Sequence, residues 1–275
     1  MTMRGWSDLS DIMLLYEGQG LPADETLIGQ YVQDKGIAKD FAIYYDLFKK
    51  YRVDYQIAAI LDGGADEKMT VRVKDAPFDE RLAVIALLTE EISARCQNVM
   101  LRELALDRLL GEVVALGDIL RRAPSGIVGS IDEAVAQKRE ALRREKLAGA
   151  LSRREETITE GVIALYGKLR TAVQKKGISD AAGAIAAVQK MCAAEKKEIS
   201  AEAAAAGQAL ANAFVFLEAA FGEGQEILLF VTELTENFWT SQYIAGFGCE
   251  RYFAHNKELL FYERQKEIVR KIENG

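Results

Sequence analysis

The stretch Phe214–Tyr262, FVFLEAAFGEGQEILLFVTELTENFWTSQYIAGFGCERYFAHNKELLFY, holds 12 of the chain's 23 Phe, Trp and Tyr residues. Aromatic side chains carry large apolar surfaces and dominate cores and interfaces. Ile227 to Val231 has no polar break, and Leu234, Phe238 and Trp239 continue the run at helical spacing. A helix that apolar is buried on more than one side. The stretch therefore reads as a hub against which the remaining helices pack; the competing reading makes part of it a partner interface. The single His, the third Cys and the second Trp all fall within it.

Outward from the hub, the rest of the chain reads as helix. With 275 residues it is long enough to bury a proper core as one large or two ordinary domains. Pro occurs only at positions 22, 77 and 124, while Ala, Leu, Glu, Lys and Arg are abundant, a composition suited to long helices. The net charge of −7 and pI near 5.1 argue against a general nucleic-acid binder. Cys96, Cys192 and Cys249 are odd in number and far apart, which speaks against a disulfide framework and for a reducing compartment. The longest wholly apolar run, Leu82 to Leu88, falls far short of the ~18–20 residues of a membrane span, and no signal sequence opens the chain. The expectation is a soluble, cytoplasmic, mostly helical protein that engages neither nucleic acid nor membrane.

Before the hub, Ser7 is the expected cap of a first helix carrying Leu9, Ile12, Met13 and Tyr16. Asp24 caps a second through Val32, a third spans Ile37 to Tyr51, and a short fourth runs from Tyr55 to Leu61. These four form one compact unit over residues 1–64. Met69 to Lys74 alternates like a strand but, lacking any partner, is read as a helical turn. From Pro77 a long apolar stripe through Leu82, Ile85, Leu88, Ile92, Cys96 and Val99 predicts a helix to Leu120, kinked near Gly111. After the linker at Ala123–Gly126, a charged helix starts at Ser130, and its stretch from Gln137 to Glu156 has seven basic and four acidic residues. That composition fits a solvated helix laced with ion pairs, with an anionic docking site as the alternative. Further helices are expected at Ile158–Val173, around Ile185–Met191, and at Leu210–Phe221. The 4-3-4 spacing of Leu210, Phe214, Leu217 and Phe221 predicts nearly antiparallel packing, as in a bundle or coiled-coil hairpin, over residues 65–275.

Few residues carry chemistry. The chain has no G-x-x-x-x-G-K-[ST] phosphate loop, and with one His it cannot build a four-helix di-iron site. Glu233 and Glu236 lie one helical turn apart, a weak metal signal, so no metal site is assigned. Cys249 and His255 are six residues apart; a Cys–His nucleophile needs contact that this spacing does not require, and no catalytic residue is assigned. Arg4 stands ahead of the first helix, where a guanidinium beside free backbone N–H groups suits a phosphate.

The segments RGWSDLSDIMLLYE and LIGQYVQDKGIAKDFAIYYDLFKKY, residues 4–17 and 27–51, resemble the helical lid of MoxR-type AAA+ ATPases. FGEGQEILLFVTELTENFWTSQYIAGFGCERYFAHNKELLFYERQ, from Phe221 to Gln265, is similar to the C-terminal end of the same proteins. The resemblance implies that Arg4 is the sensor 2 arginine, touching the γ-phosphate of ATP. It also implies an upstream AAA+ core that supplies the ATP and Mg²⁺ sites, a homo-oligomeric ring, and a von Willebrand factor A domain protein as partner. The Walker A, Walker B and sensor 1 elements are missing here, so the resemblance makes Met1 a start inside a longer ATPase. On this reading the chain couples nucleotide state to a client in a chaperone-like assembly and is no enzyme by itself. The alternative is a free-standing helical interaction scaffold without nucleotide.

Overall fold

The computed structural model describes residues 3–122 and 126–257, excepting the side chains of Met3, Arg4 and Val114. Every regular element among them is helical, and the chain is all-α. In order the helices are α1 (Met3–Gly18), α2 (Glu25–Ile28), α3 (Lys35–Asp54), α4 (Ile57–Leu61), α5 (Glu67–Asp75), α6 (Phe78–Arg122), α7 (Gly126–Leu147), α8 (Arg153–Lys176), α9 (Ala181–Phe221), α10 (Gln225–Glu236) and α11 (Phe238–Phe247). Residues 250–257 are helical as well. The helices gather into two compact units. One comprises the chain up to Thr89 together with Val215–Phe230, and the other comprises Glu90–Phe214 and the chain from Val231 on.

Asp residues start the short helices of the first unit. The side chains of Asp24, Asp34 and Asp66 each accept backbone N–H bonds in the first turns of α2, α3 and α5, filling donors that a helix start leaves open. The Met69–Lys74 segment is thus part of a nine-residue helix. Leu9 and Met13 of α1, Leu27 and Ile28 of α2, Val32, and Ala38 and Ala42 of α3 make one buried cluster. Between α3 and α4 the chain turns at Gln56, a non-glycine residue at φ 46°. The preceding Tyr55 is buried, and its hydroxyl donates to Glu80 Oε1 at 2.5 Å, tying this corner to α6. Phe216, Leu217, Ala220, Ile227 and Phe230 bring the first half of the aromatic stretch into the same unit, all buried. Arg81 fastens it there: its Nη1 donates to Glu226 Oε1 at 3.0 Å, its Nε to the Ala76 carbonyl at 2.7 Å, and its guanidinium lies over the Phe221 ring.

In the second unit four long helices run alternately up and down. Lys138 pairs with Glu112, and Arg170 with Asp132, while Lys146 pairs with Glu156 beside the turn at 148–152. As residue numbers rise on one helix they fall on the next, which is antiparallel neighbour packing with short connections. Leu109, Leu116 and Leu120 of α6, Ile127 and Ile131 of α7, Ile158, Val162, Leu165 and Leu169 of α8, and Val188 and Ile199 of α9 are buried. Beyond Ile131 no residue of α7 is buried, so the charged stretch predicted to be solvated is solvated.

Several local expectations give way. Helix α1 begins by Met3 and α7 by Gly126, so Ser7 and Ser130 lie inside helices rather than capping them. The two helices expected at 185–191 and 210–221 are one 41-residue helix, α9. Ala, Glu and Lys fill the interval between them, and nothing there stops a helix. Helix α6 runs through Gly111 as expected and ends at Arg122, two residues past the expected Leu120. Conversely, the hub helix breaks where periodicity carried it on. Asn237 Oδ1 accepts from the N–H groups of Trp239 and Thr240, and the Thr240 hydroxyl donates to the Leu234 carbonyl at 2.6 Å, which starts α11 afresh.

Candidate functional site

Arg4, the one residue assigned a ligand from the sequence, falls in the first turn of α1; its side chain lies outside the described residues. A Ser7 cap would make Asp8 the first helical residue, whereas the chain is already helical at Met3, five positions earlier. The site residues that the sequence weighed for other chemistry are described. Glu233 and Glu236 are both exposed in the last turns of α10, and among the described residues no three His, Cys, Asp or Glu side chains converge as a metal would need.

Cys249 opens the helical segment 250–257. Its carbonyl accepts the Phe253 N–H at 3.1 Å, and the N–H groups of Arg251 and Tyr252 point at its sulfur. Burial pushes the thiol above its ordinary value, and the two N–H groups offset this only in part. A nucleophilic cysteine needs the opposite shift. His255 lies flat against Phe214, with ring centroids 5.6 Å apart and planes 13° apart. Both residues are therefore integrated into the packing of the second unit.

Cys249 edges a groove of about 530 Å³ whose floor is α9, presenting Ala203, Ala204, Gly207 and Ala211, and whose wall is Tyr243 and Phe247 of α11. Gly207 explains itself here. The Tyr243 hydroxyl donates to the Ala203 carbonyl at 2.5 Å, and a Cβ at position 207 would sit 3.0 Å from that hydroxyl oxygen. A mid-helix Gly costs about 1 kcal/mol relative to Ala, and the close approach of Tyr243 is what the position requires. Burial pushes the Tyr243 hydroxyl up to about 12, so it keeps its proton. The groove thus offers shape and apolar surface, with Ser200 and the charged Glu250 and Arg251 also in its lining.

A second constellation, invisible in the sequence, lies in a groove of about 420 Å³ bordered by Leu101, Ala105, Gly161 and Ala164. Glu195 of α9 is buried there and accepts from Arg102 of α6 and Lys168 of α8, each at 2.5 Å. Arg102 also reaches Glu198, at 3.0 Å, and Glu202. Burial would raise the Glu195 carboxyl, but the bonds from Lys168 and Arg102 hold it below the ordinary range. The five charges sum to −1, and every one of them is paired. Such a network joins three helices and gives them one register. It supplies no free acid or base. A backbone approach accompanies it: a Cβ on Gly161 would come within 2.9 Å of the Ala105 Cβ, so α6 and α8 meet more closely than an alanine permits.

No family model, no curated protein and no solved structure matches the chain.

Proposed function

We propose that the chain is the helical lid and extension of a MoxR-like AAA+ ATPase, which relays nucleotide state to a partner or client protein. The observation that supports this reading is the joint packing of the two N-terminal segments that carry the resemblance. Residues 4–17 and 27–51 contribute to one buried cluster through Leu9, Met13, Leu27, Ile28, Val32, Ala38 and Ala42. Arg4 in the first turn of α1 stands where free backbone N–H groups and a guanidinium would act together on a phosphate. ATP and Mg²⁺ would be held by an upstream core, and Arg4 would be this chain's contribution. A phosphate cradle takes a backbone loop, a lysine and a magnesium ligand, none of which one arginine replaces.

The test joins the chain to its ATPase core and replaces Arg4 by Ala. Arginine stabilisation of a transferring phosphate is worth 10³–10⁵ in related machines, so hydrolysis is expected to fall by at least roughly tenfold. Unchanged hydrolysis overturns the reading.

A second reading, a free-standing interaction scaffold, rests on a different observation. The first unit exposes Leu14, Leu15, Leu21, Ile37, Ile43, Tyr44 and Leu47 to solvent. Apolar surface of that extent on a small unit marks a protein contact. The two readings part on calorimetry of the joined protein, since only the first expects ATP binding to respond to Arg4.

A further inference from the structure

We propose that α3 is a self-association face, on which a second copy of this chain docks antiparallel across a two-fold axis. The inference does not depend on the ATPase reading.

The side of α3 turned inward is defined by Ala38 and Ala42, both buried, and by Tyr45 and Lys49, which both bond Glu17 of α1. The opposite side carries Asp40, Ile43, Leu47 and Lys50 in a line at 3-4-3 spacing, all exposed. This is the spacing of a coiled-coil seam, in which side chains seven residues apart on average face one partner. Tyr44 flanks the line, and its ring stacks on Phe48 at 6.0 Å. Ile43 is 50% exposed, Tyr44 54% and Leu47 41%, although large apolar side chains at helical spacing normally point into a core.

The order of these residues selects the occupant. Lay a second α3 antiparallel on the first, with the two-fold axis at residue 45. Asp40 of each copy then faces Lys50 of the other, and Ile43 faces Leu47. The line is apolar at its centre and charged at its ends, with opposite signs meeting at both. Neither Asp40 nor Lys50 has an ion-pair partner among the described residues. A parallel pairing would set Asp40 against Asp40 and Lys50 against Lys50. The pattern is therefore self-complementary in one orientation only, as an isologous contact requires. A single helix face is small for a permanent interface, so the expected affinity is in the micromolar range.

Sedimentation velocity of the full chain from about 1 µM to about 500 µM tests this. A reversible monomer–dimer equilibrium is expected. Leu47→Glu buries a charge at the seam centre and should weaken it at least roughly tenfold, with the far-UV spectrum and melting temperature unchanged because Leu47 is exposed in the monomer. Asp40→Lys and Lys50→Asp should each weaken it several-fold, and the double exchange should return it to within about threefold of the parent. A chain monomeric throughout that range overturns the proposal and leaves the face to a different protein. So does a dimer indifferent to Leu47→Glu, or charge variants that the double exchange does not rescue.

Discussion

The two compact units solve the same problem, burying helices that are apolar on one face, in opposite ways. The first has short helices started by aspartate caps, and Trp6, Leu14, Leu15, Ile37, Ile43, Tyr44, Leu47 and Val53 of its surface are open to solvent. In the second, long helices cover one another along their length, and charged side chains meet in pairs, as at Arg102, Lys168 and Glu195. The contrast is one of distribution: the first unit's open apolar residues crowd mostly into its first 53 positions, whereas those of the second, such as Leu110, Leu147 and Phe253, are scattered along the chain.

The sharpest way to break this contrast is a cavity. Phe214→Ala removes a wholly buried ring stacked on His255 in the second unit and should cost about 3–5 kcal/mol in chemical denaturation. A cost under about 1 kcal/mol would mean that this core is loosely packed.

A smaller effect is expected at Glu195. Glu195→Ala leaves Arg102 and Lys168 facing each other and should lower stability by roughly 2–3 kcal/mol. Acid should uncover the same interaction. The folded carboxyl titrates below its ordinary value near 4.5, so its contribution is complete above about that pH and is lost as pH falls through the folded value. Glu17 in the first unit, bonded by Lys49 and Tyr45, is lowered in the same direction and contributes with the same sign. A Glu195→Gln variant whose acid limb matches the parent's would remove the network from the account of stability.

Next in size is the loss of one cap. Asp34→Ala leaves the Gly36 and Ile37 N–H groups without their acceptor and should cost about 1 kcal/mol, read as a lower melting temperature. Smallest is Leu47→Ala on the open face, expected within about 0.5 kcal/mol of the parent in the monomer. A larger loss would show that Leu47 is packed, and the open character of the first unit would then be in doubt.

What the sequence determined by itself is what neighbouring residues decide among themselves. The all-α class, the cap at Asp24, the long apolar stripe of α6 and the solvated charge of α7 follow from propensity, capping and period, which act within a few residues. Tertiary structure decided the rest. Local signals marked Ser7 and Ser130 as helix starts, but the helices begin earlier. Asn237 broke the hub where its side chain also meets Ser93, 144 positions away. The aromatic stretch was legible as core, but not its division at Phe230 and Val231 between two units. Nor did any local pattern join Arg102 to Glu195, 93 residues on, or fit Gly207 under the Tyr243 hydroxyl. Those contacts depend on which helices become neighbours. That choice is made by the fit of whole apolar faces across the chain, and a window of sequence carries no record of it.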